Sequence, residues 1–254
     1  MKRYFTSDLH LGSTLINKYA HRPWTDAKSA YEALRNNIWE VVDPNATLIH
    51  CGDFLLSGAD RHGTEEDVGL DISQEEYVKS IGTRLFLLSG NHDDAHNGDT
   101  DAKSLILDLN QNWRNVYVNH FPSDHKFYHG PRASRSSDRI FINLCGHVHD
   151  AWLLKWDRKN GVVNVNVGVD VWDYKPVSDV QITKMLDYLW NGKVRAPDVM
   201  TRKQYEEWVE KNEKQVKLER EVRKAEKHKK KGLTPEICQQ RKEEEALKKK
   251  GLLK

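Results

Sequence analysis

Five short polar clusters follow one another in a fixed order along this chain: Asp8-Leu9-His10, Gly52-Asp53, Gly90-Asn91-His92-Asp93, a lone His120, and Gly146-His147-Val148-His149. Most come directly after a short apolar run, and runs of that length read as β-strands. The polar side chains therefore collect where strand ends meet loops, which is where open α/β sheets bind their ligands. Together they offer about seven side chains able to hold a metal: Asp8, His10, Asp53, Asn91, His120, His147 and His149. That is the layout of a two-metal hydrolase.

Taken as a set, in this order and at these spacings, the clusters resemble the calcineurin-like metallophosphoesterase superfamily over roughly residues 1 to 190. Each piece alone is a weak signal; the five together are specific. His120-Phe121-Pro122 and the later Asn166-Val167-Gly168-Val169-Asp170-Val171-Trp172 are similar to small phosphoesterases of that superfamily. Gly52-Asp53 runs on into Phe54-Leu55-Leu56-Ser57-Gly58 where the protein-phosphatase branch has Asp-Arg-Gly, which disfavours a Ser/Thr protein phosphatase. The resemblance implies an α/β fold, a layered α/β/β/α sandwich, and phosphoester hydrolysis.

Phosphate esters resist hydrolysis because their anionic centre repels nucleophiles and the alkoxide leaves poorly. Two divalent cations about 3.5–4 Å apart answer both problems by neutralising phosphoryl oxygens and deprotonating a shared water. Asp53 is the expected bridge between them, since the glycine before it lets backbone and metal approach closely. By resemblance, Asp8, His10 and His149 complete one site, and Asn91, His120 and His147 the other. His147 and His149 can serve two metals only if their turn is irregular, because residues two apart in a strand point the same way. Mixed oxygen and nitrogen ligands suit Mn²⁺, Fe, Zn²⁺ or Ni²⁺, and Mn²⁺ is a common activator in such families.

The resemblance turns His92 toward the substrate, where an imidazolium could stabilise phosphate charge or protonate the leaving oxygen. The expected catalytic residues are thus His92, Asp53 and Asn91, with Asn91 and His92 also contacting substrate. Asp93 either orients His92 or caps the following turn, and Asp170 either supports the ligands or is structural. His21, His50, His62, His96 and His228 match no motif position and are expected not to ligate.

The net charge of +2 conceals a division. Residues 191–254 carry 20 Lys plus Arg against 12 Asp plus Glu, a balance of +8, whereas residues 1–190 carry 20 against 26, a balance of −6. An acidic catalytic region over 1–190 and a basic helical extension over 191–254 are expected. Lys227 to Lys231 and Lys248 to Lys250 could contact nucleic acid or a protein partner, although interleaved Glu also fits a solvated helix. Three widely spaced cysteines (Cys51, Cys145, Cys238) argue against a disulfide framework and for small core residues. No apolar run is long enough for a membrane span, and a cytoplasmic enzyme is expected.

Strands are expected at Lys2 to Thr6, Thr47 to His50, Arg84 to Leu88, Val116 to Asn119, Arg139 to Leu144 and Val162 to Val167. Helices are expected at Asp26 to Val42, at Asp101 to Leu109, and from Thr234. Phe54 to Gln74 and Ser123 to Ser137 read as inserted loops, the second offering Arg132 and Arg135 as substrate contacts. Tyr205, Trp208, Val209 and Val216 could seat the start of the tail. The substrate expected is a phosphodiester of a nucleotide or nucleic acid; alternatives are a phosphomonoesterase, and a metal-binding scaffold with a binding tail.

Overall fold

The computed structural model describes residues 2–55, 73–93, 103–123, 134–135 and 138–230. In chain order the elements are β1 (Arg3–Thr6), α1 (Leu15–Tyr19), α2 (Ala27–Val41), β2 (Thr47–His50), α3 (Gln74–Ile81), β3 (Arg84–Leu87), β4 (Ser104–Leu107) and β5 (Val116–Asn119). There follow β6 (Ser134–Arg135), β7 (Asp138–Arg139), β8 (Phe141–Cys145), β9 (Leu154–Asp157), β10 (Val162–Asn166), a 3₁₀ turn at Val169–Val171, β11 (Val177–Ser178), α4 (Asp179–Asn191), β12 (Val199–Met200) and α5 (Arg202–Lys230). Two sheets form the body of the fold, in the orders β11-β1-β2-β3 and β12-β9-β10-β8-β5-β4.

Local chemistry explains the helices beside the first sheet. Asp26 caps α2 by accepting from the Ser29 amide at 2.8 Å, and Ala30, Leu34 and Ile38, four apart, form its buried face. Ser73 and Glu76 form a capping box at the start of α3. Leu34, Ile38, Tyr77 and Ile81 then join Leu48 of β2, Leu9, Leu11 and Phe54 in one apolar cluster. In the second sheet every residue of β8 and β10 is buried, so its centre is covered on both faces. Two sheets flanked by helices bear out the layered α/β architecture.

The helix expected over Asp101 to Leu109 is a correction. Ser104–Leu107 is a strand whose partners run from Ser104↔Asn119 to Leu107↔Val116. A four-residue run with one polar end carries too little periodicity to separate helix from strand, and antiparallel pairing on β5 decides it. The strand expected over Arg139 to Leu144 is also divided, into β7 and β8. Most of both inserted loops, Arg132, the helix start at Thr234 and Cys238 lie outside the described residues, as does the side chain of Arg135.

The chain divides into two compact units, Met1–Asn191 with Ala196–Glu206, and Gly192–Arg195 with Glu207–Lys254. Within the second, Trp208 Nε1 donates to the Val194 carbonyl at 3.0 Å and Asn212 Oδ1 accepts from the Val194 amide at 2.9 Å. Among the described residues no helix is long and apolar enough to cross a membrane. Cys51 and Cys145 are buried free thiols, and burial pushes both well above the usual thiol range.

His50 ends β2 fully buried, its ring edge-on to Phe54 with centroids 5.0 Å apart. Among the described residues neither ring nitrogen has a hydrogen-bond partner. Burial is the main cause that pulls its pKa from 6.5 to about 3. Folded protein holds this imidazole neutral while unfolded chain protonates it, so its contribution is full above pH 6.5 and drains away as pH falls toward 3. The slope is about 1.4 kcal/mol per pH unit in that window. His50→Leu is expected to narrow the difference in urea midpoint between about pH 7 and about pH 4.5. An unchanged difference would exclude His50 as its source.

Candidate metal centre

The loops that leave the strands turn abruptly. Asp8, His10, Asp53, His147 and His149 have φ of 58°, 46°, 57°, 69° and 47°, a region that costs a non-glycine residue about 1–2 kcal/mol. Such strain persists only where surrounding bonds enforce it, and here they do. Asp8 N donates to Gly52 O, His10 N to Asp53 O and Leu11 N to Phe54 O, each at 3.0 Å, zipping the loops after β1 and β2 together. Gly146 N donates to His120 O at 2.9 Å, joining the fourth and fifth motifs.

Asp93, left open between two roles by its sequence, is a brace for these loops. Its carboxylate accepts from the amides of Asp53 at 2.7 Å, Gly90 at 2.8 Å and Phe54 at 2.9 Å. It thereby locks the Gly-Asn-His-Asp turn to the Gly-Asp turn.

The side chains converge on Asp53, which is 2% exposed. Its Oδ2 lies 3.3 Å from His10 Nε2 and 3.3 Å from His120 Nε2. Burial would raise this carboxyl, but the two imidazoles outweigh that and hold it well below the usual carboxylate range. His120 Nδ1 is 2.9 Å from the Cys51 carbonyl, which fixes it as the donor and turns Nε2 toward Asp53. Asn91 Oδ1 lies 2.9 Å from His120 Nε2 and 3.0 Å from His147 Nδ1. On the other side, the His10 and His149 rings stack with centroids 5.3 Å apart, and His149 Nδ1 meets Asp170 Oδ2 at 2.8 Å. The irregular turn at residues 147 and 149 thus sends the two rings to different partners.

This group suits divalent cations. Ligand atoms of Asp8, His10 and His149 lie within 4.8 Å of one another, as do those of Asp8, Asp53 and His120. Asp8 is common to both triads, while Asp53 is the carboxylate flanked by imidazoles of both. His10 Nε2 is buried and makes no well-aligned hydrogen bond, its nearest polar neighbour being Asp53 Oδ2 at 3.3 Å, an imperfect pairing that a cation bound to both would replace. The adjacent glycines leave the space free: a Cβ at Gly90 would collide with the Asp53 carboxylate, and one at Gly146 with Asp8 and Ser7.

His92 and Asn91 lie exposed at the rim, where the His92 amide donates to Asp53 Oδ1 at 2.9 Å. His21 is 3.7 Å from Asp150 and His50 is in the core, both apart from the triads. Two residues of the surrounding network, Asp170 and Arg22, belong to none of the five motifs. Arg22 bonds to Asp170 and to the backbone of Asp8 and Leu9, and no periodicity or motif in its neighbourhood announces it.

The chain is 25% identical, over 76% of its length and 94% of the relative's, to the uncharacterized protein MJ1445 of Methanocaldococcus jannaschii. It is similar to the crystal structure of the protein of unknown function AQ665 from Aquifex aeolicus. There the TM-score is 0.45 and the identity 22%, covering 72% of this chain and 98% of that one. The family model for calcineurin-like phosphoesterases matches residues 1–218. That match spans all five motifs and the loops that gather them around Asp53, so this chain belongs to the calcineurin-like phosphoesterases.

Proposed function

We propose that the protein is a phosphodiesterase acting on a nucleotide or nucleic acid. Asp8, His10, Asp53 and His149 would hold one divalent cation and Asp53, Asn91, His120 and His147 a second, with Mn²⁺ as the expected activator. The observation that carries this reading is the convergence of both imidazole sets on the buried, anionic Asp53. The cations would neutralise phosphoryl charge and activate water.

The protein's own groups account for the rest. Asn91 directs its oxygen at His120 and His147, which leaves its amide N–H groups to donate to a phosphoryl oxygen. His92, held at the rim by the hydrogen bond its backbone amide donates to Asp53 Oδ1 and with its ring centroid 5.2 Å from that of His10, is placed to give a proton to the leaving oxygen. A monoester dianion calls for more positive charge than a diester monoanion. Among the described residues Arg22 is the one Lys or Arg bonded to this group, and its fork is spent on Asp170 and two carbonyls. The buried free thiols accord with a reducing, cytoplasmic setting.

With Mn²⁺ the protein is expected to turn over bis(p-nitrophenyl) phosphate faster than p-nitrophenyl phosphate, and a panel with 2′,3′-cyclic nucleotides and single-stranded DNA would locate the natural class. His92→Ala should lose about 10²–10⁴-fold in kcat with its metal content intact. Turnover of monoesters alone would make the protein a phosphatase. Silence on every substrate from protein shown to hold two metals would make it a scaffold.

A further inference from the structure

Arg22 is the most deeply buried cation described: its side chain is 0% exposed and that of its partner Asp170 is 2% exposed. The hydrogen bonds of its guanidinium run to the metal centre. Nε donates to Asp170 Oδ1 at 2.7 Å and Nη2 to Asp170 Oδ2 at 3.0 Å, a two-toothed pair. Nη1 donates to the Leu9 carbonyl at 3.0 Å and Nη2 also to the Asp8 carbonyl at 2.6 Å. Those carbonyls lie in the strained turn that carries Asp8 and His10, both with left-handed φ. The same Asp170 carboxylate pairs with His149 Nδ1 at 2.8 Å, and His149 groups with Asp8 and His10 in one potential ligand triad.

We infer that Arg22 is a positioning residue, a clamp that holds the Asp8-His10 turn and, through Asp170, the His149 imidazole in one fixed geometry for binding a divalent cation. The inference rests on the metal-centre reading above. A stabilising role alone does not account for the arrangement, because replacing a buried ion pair by apolar side chains is often neutral or favourable. The guanidinium instead does what only a rigid planar fork can do, bridging a carboxylate and two carbonyls at once. Paired with Asp170 it also adds no net charge beside Asp8 and Asp53, so the orienting carboxylate does not compete with them for the cation. The anchor is fixed in turn: the Arg22 amide donates to Asn17 O at 2.7 Å, and Asp170 sits in the 3₁₀ turn whose Val169 amide donates to Ser7 O at 3.2 Å.

The test uses full-length protein stripped of metal, titrated with Mn²⁺ by calorimetry and with Co²⁺ by its visible spectrum. Arg22→Lys keeps the charge and loses the fork; Asp170→Asn keeps an acceptor and loses the charge. Each is expected to fold, checked by Tm without metal, and to weaken one of the two binding events by about 10–100-fold. The Co²⁺ spectrum should change in that same event, and the double variant should be little worse than either single one because the two act as a unit. Wild-type affinity and spectrum in both folded variants would overturn the clamp. Should one variant not fold, the other decides. His149→Ala separates the two levels: wild-type binding of both ions by that variant would overturn the ligand assignment itself, whereas its loss alongside intact binding in the Arg22 and Asp170 variants would overturn only the clamp.

Discussion

Asp53→Asn is expected to abolish phosphoester hydrolysis, with kcat/KM falling by at least about 10³-fold, while the protein stays folded. The carboxylate lies 3.3 Å from imidazoles of both ligand sets, and its well-lowered pKa marks it as an anion throughout the working range. The amide is nearly isosteric and keeps one oxygen to accept the His92 amide, now bonded to Oδ1 at 2.9 Å, so the loop retains its brace. What it loses is charge between the two proposed cation positions. Metal catalysis of this type supplies several kcal/mol of transition-state stabilisation, and about 4 kcal/mol corresponds to 10³-fold in rate. Metal analysis after dialysis should find fewer than two bound ions where wild type is expected to hold two. A variant that keeps two ions and most of its activity would remove Asp53 from the centre of the mechanism.

Much of this site is visible in the sequence because its parts are local. A strand ends and a ligand comes close behind, after a glycine at Gly52, Gly90 and Gly146; Thr47–His50 and Val116–Asn119 lie at the residues their apolar pattern marks, and Asp53 and His120 follow them. Other parts are not local. Arg22 and Asp170 are 148 residues apart, and nothing between His21 and Pro23 distinguishes this arginine from an exposed one. The brace at Asp93 is equally hidden, since its acceptors are filled by amides 39 and 40 residues away as well as by that of Gly90. The strands β9, β11 and β12 escaped for a related reason. Leu154–Asp157 is one buried residue followed by three more exposed ones, and Val177–Ser178 and Val199–Met200 are too short to show a period; pairing with β1, β9 or β10 makes them strands. The error at Ser104–Leu107 has the same origin, a run whose partner chooses its conformation.

Gly52→Ala should be among the most damaging small substitutions in the chain, and a second glycine shows how much of the damage is packing. Gly52 has φ +96°, and a Cβ there would lie 2.6 Å from the Gly90 nitrogen, 2.7 Å from its Cα and 2.7 Å from His120 Nδ1. Two of those atoms are backbone and the third belongs to a ring pinned on the Cys51 carbonyl at 2.9 Å, so nothing nearby can give way cheaply. Gly82, the C-cap of α3, has φ +69° but no atom within 4 Å of the same hypothetical Cβ. Gly82→Ala therefore bears only the left-handed backbone cost, about 1–2 kcal/mol. Gly52→Ala adds overpacking to it, for a total of about 2–5 kcal/mol, read as the difference in urea midpoint. Activity should separate the two further. Pushing Gly90 and His120 apart displaces the Asn91 and His120 atoms that face each other across 2.9 Å, and a shift of about 1 Å in a reacting geometry can cost 10²-fold. Gly82→Ala, remote from those atoms, should keep its rate. Equal losses of stability and activity in the two variants would mean that the close approach of the Gly-Asp and Gly-Asn-His-Asp turns is not what builds the centre.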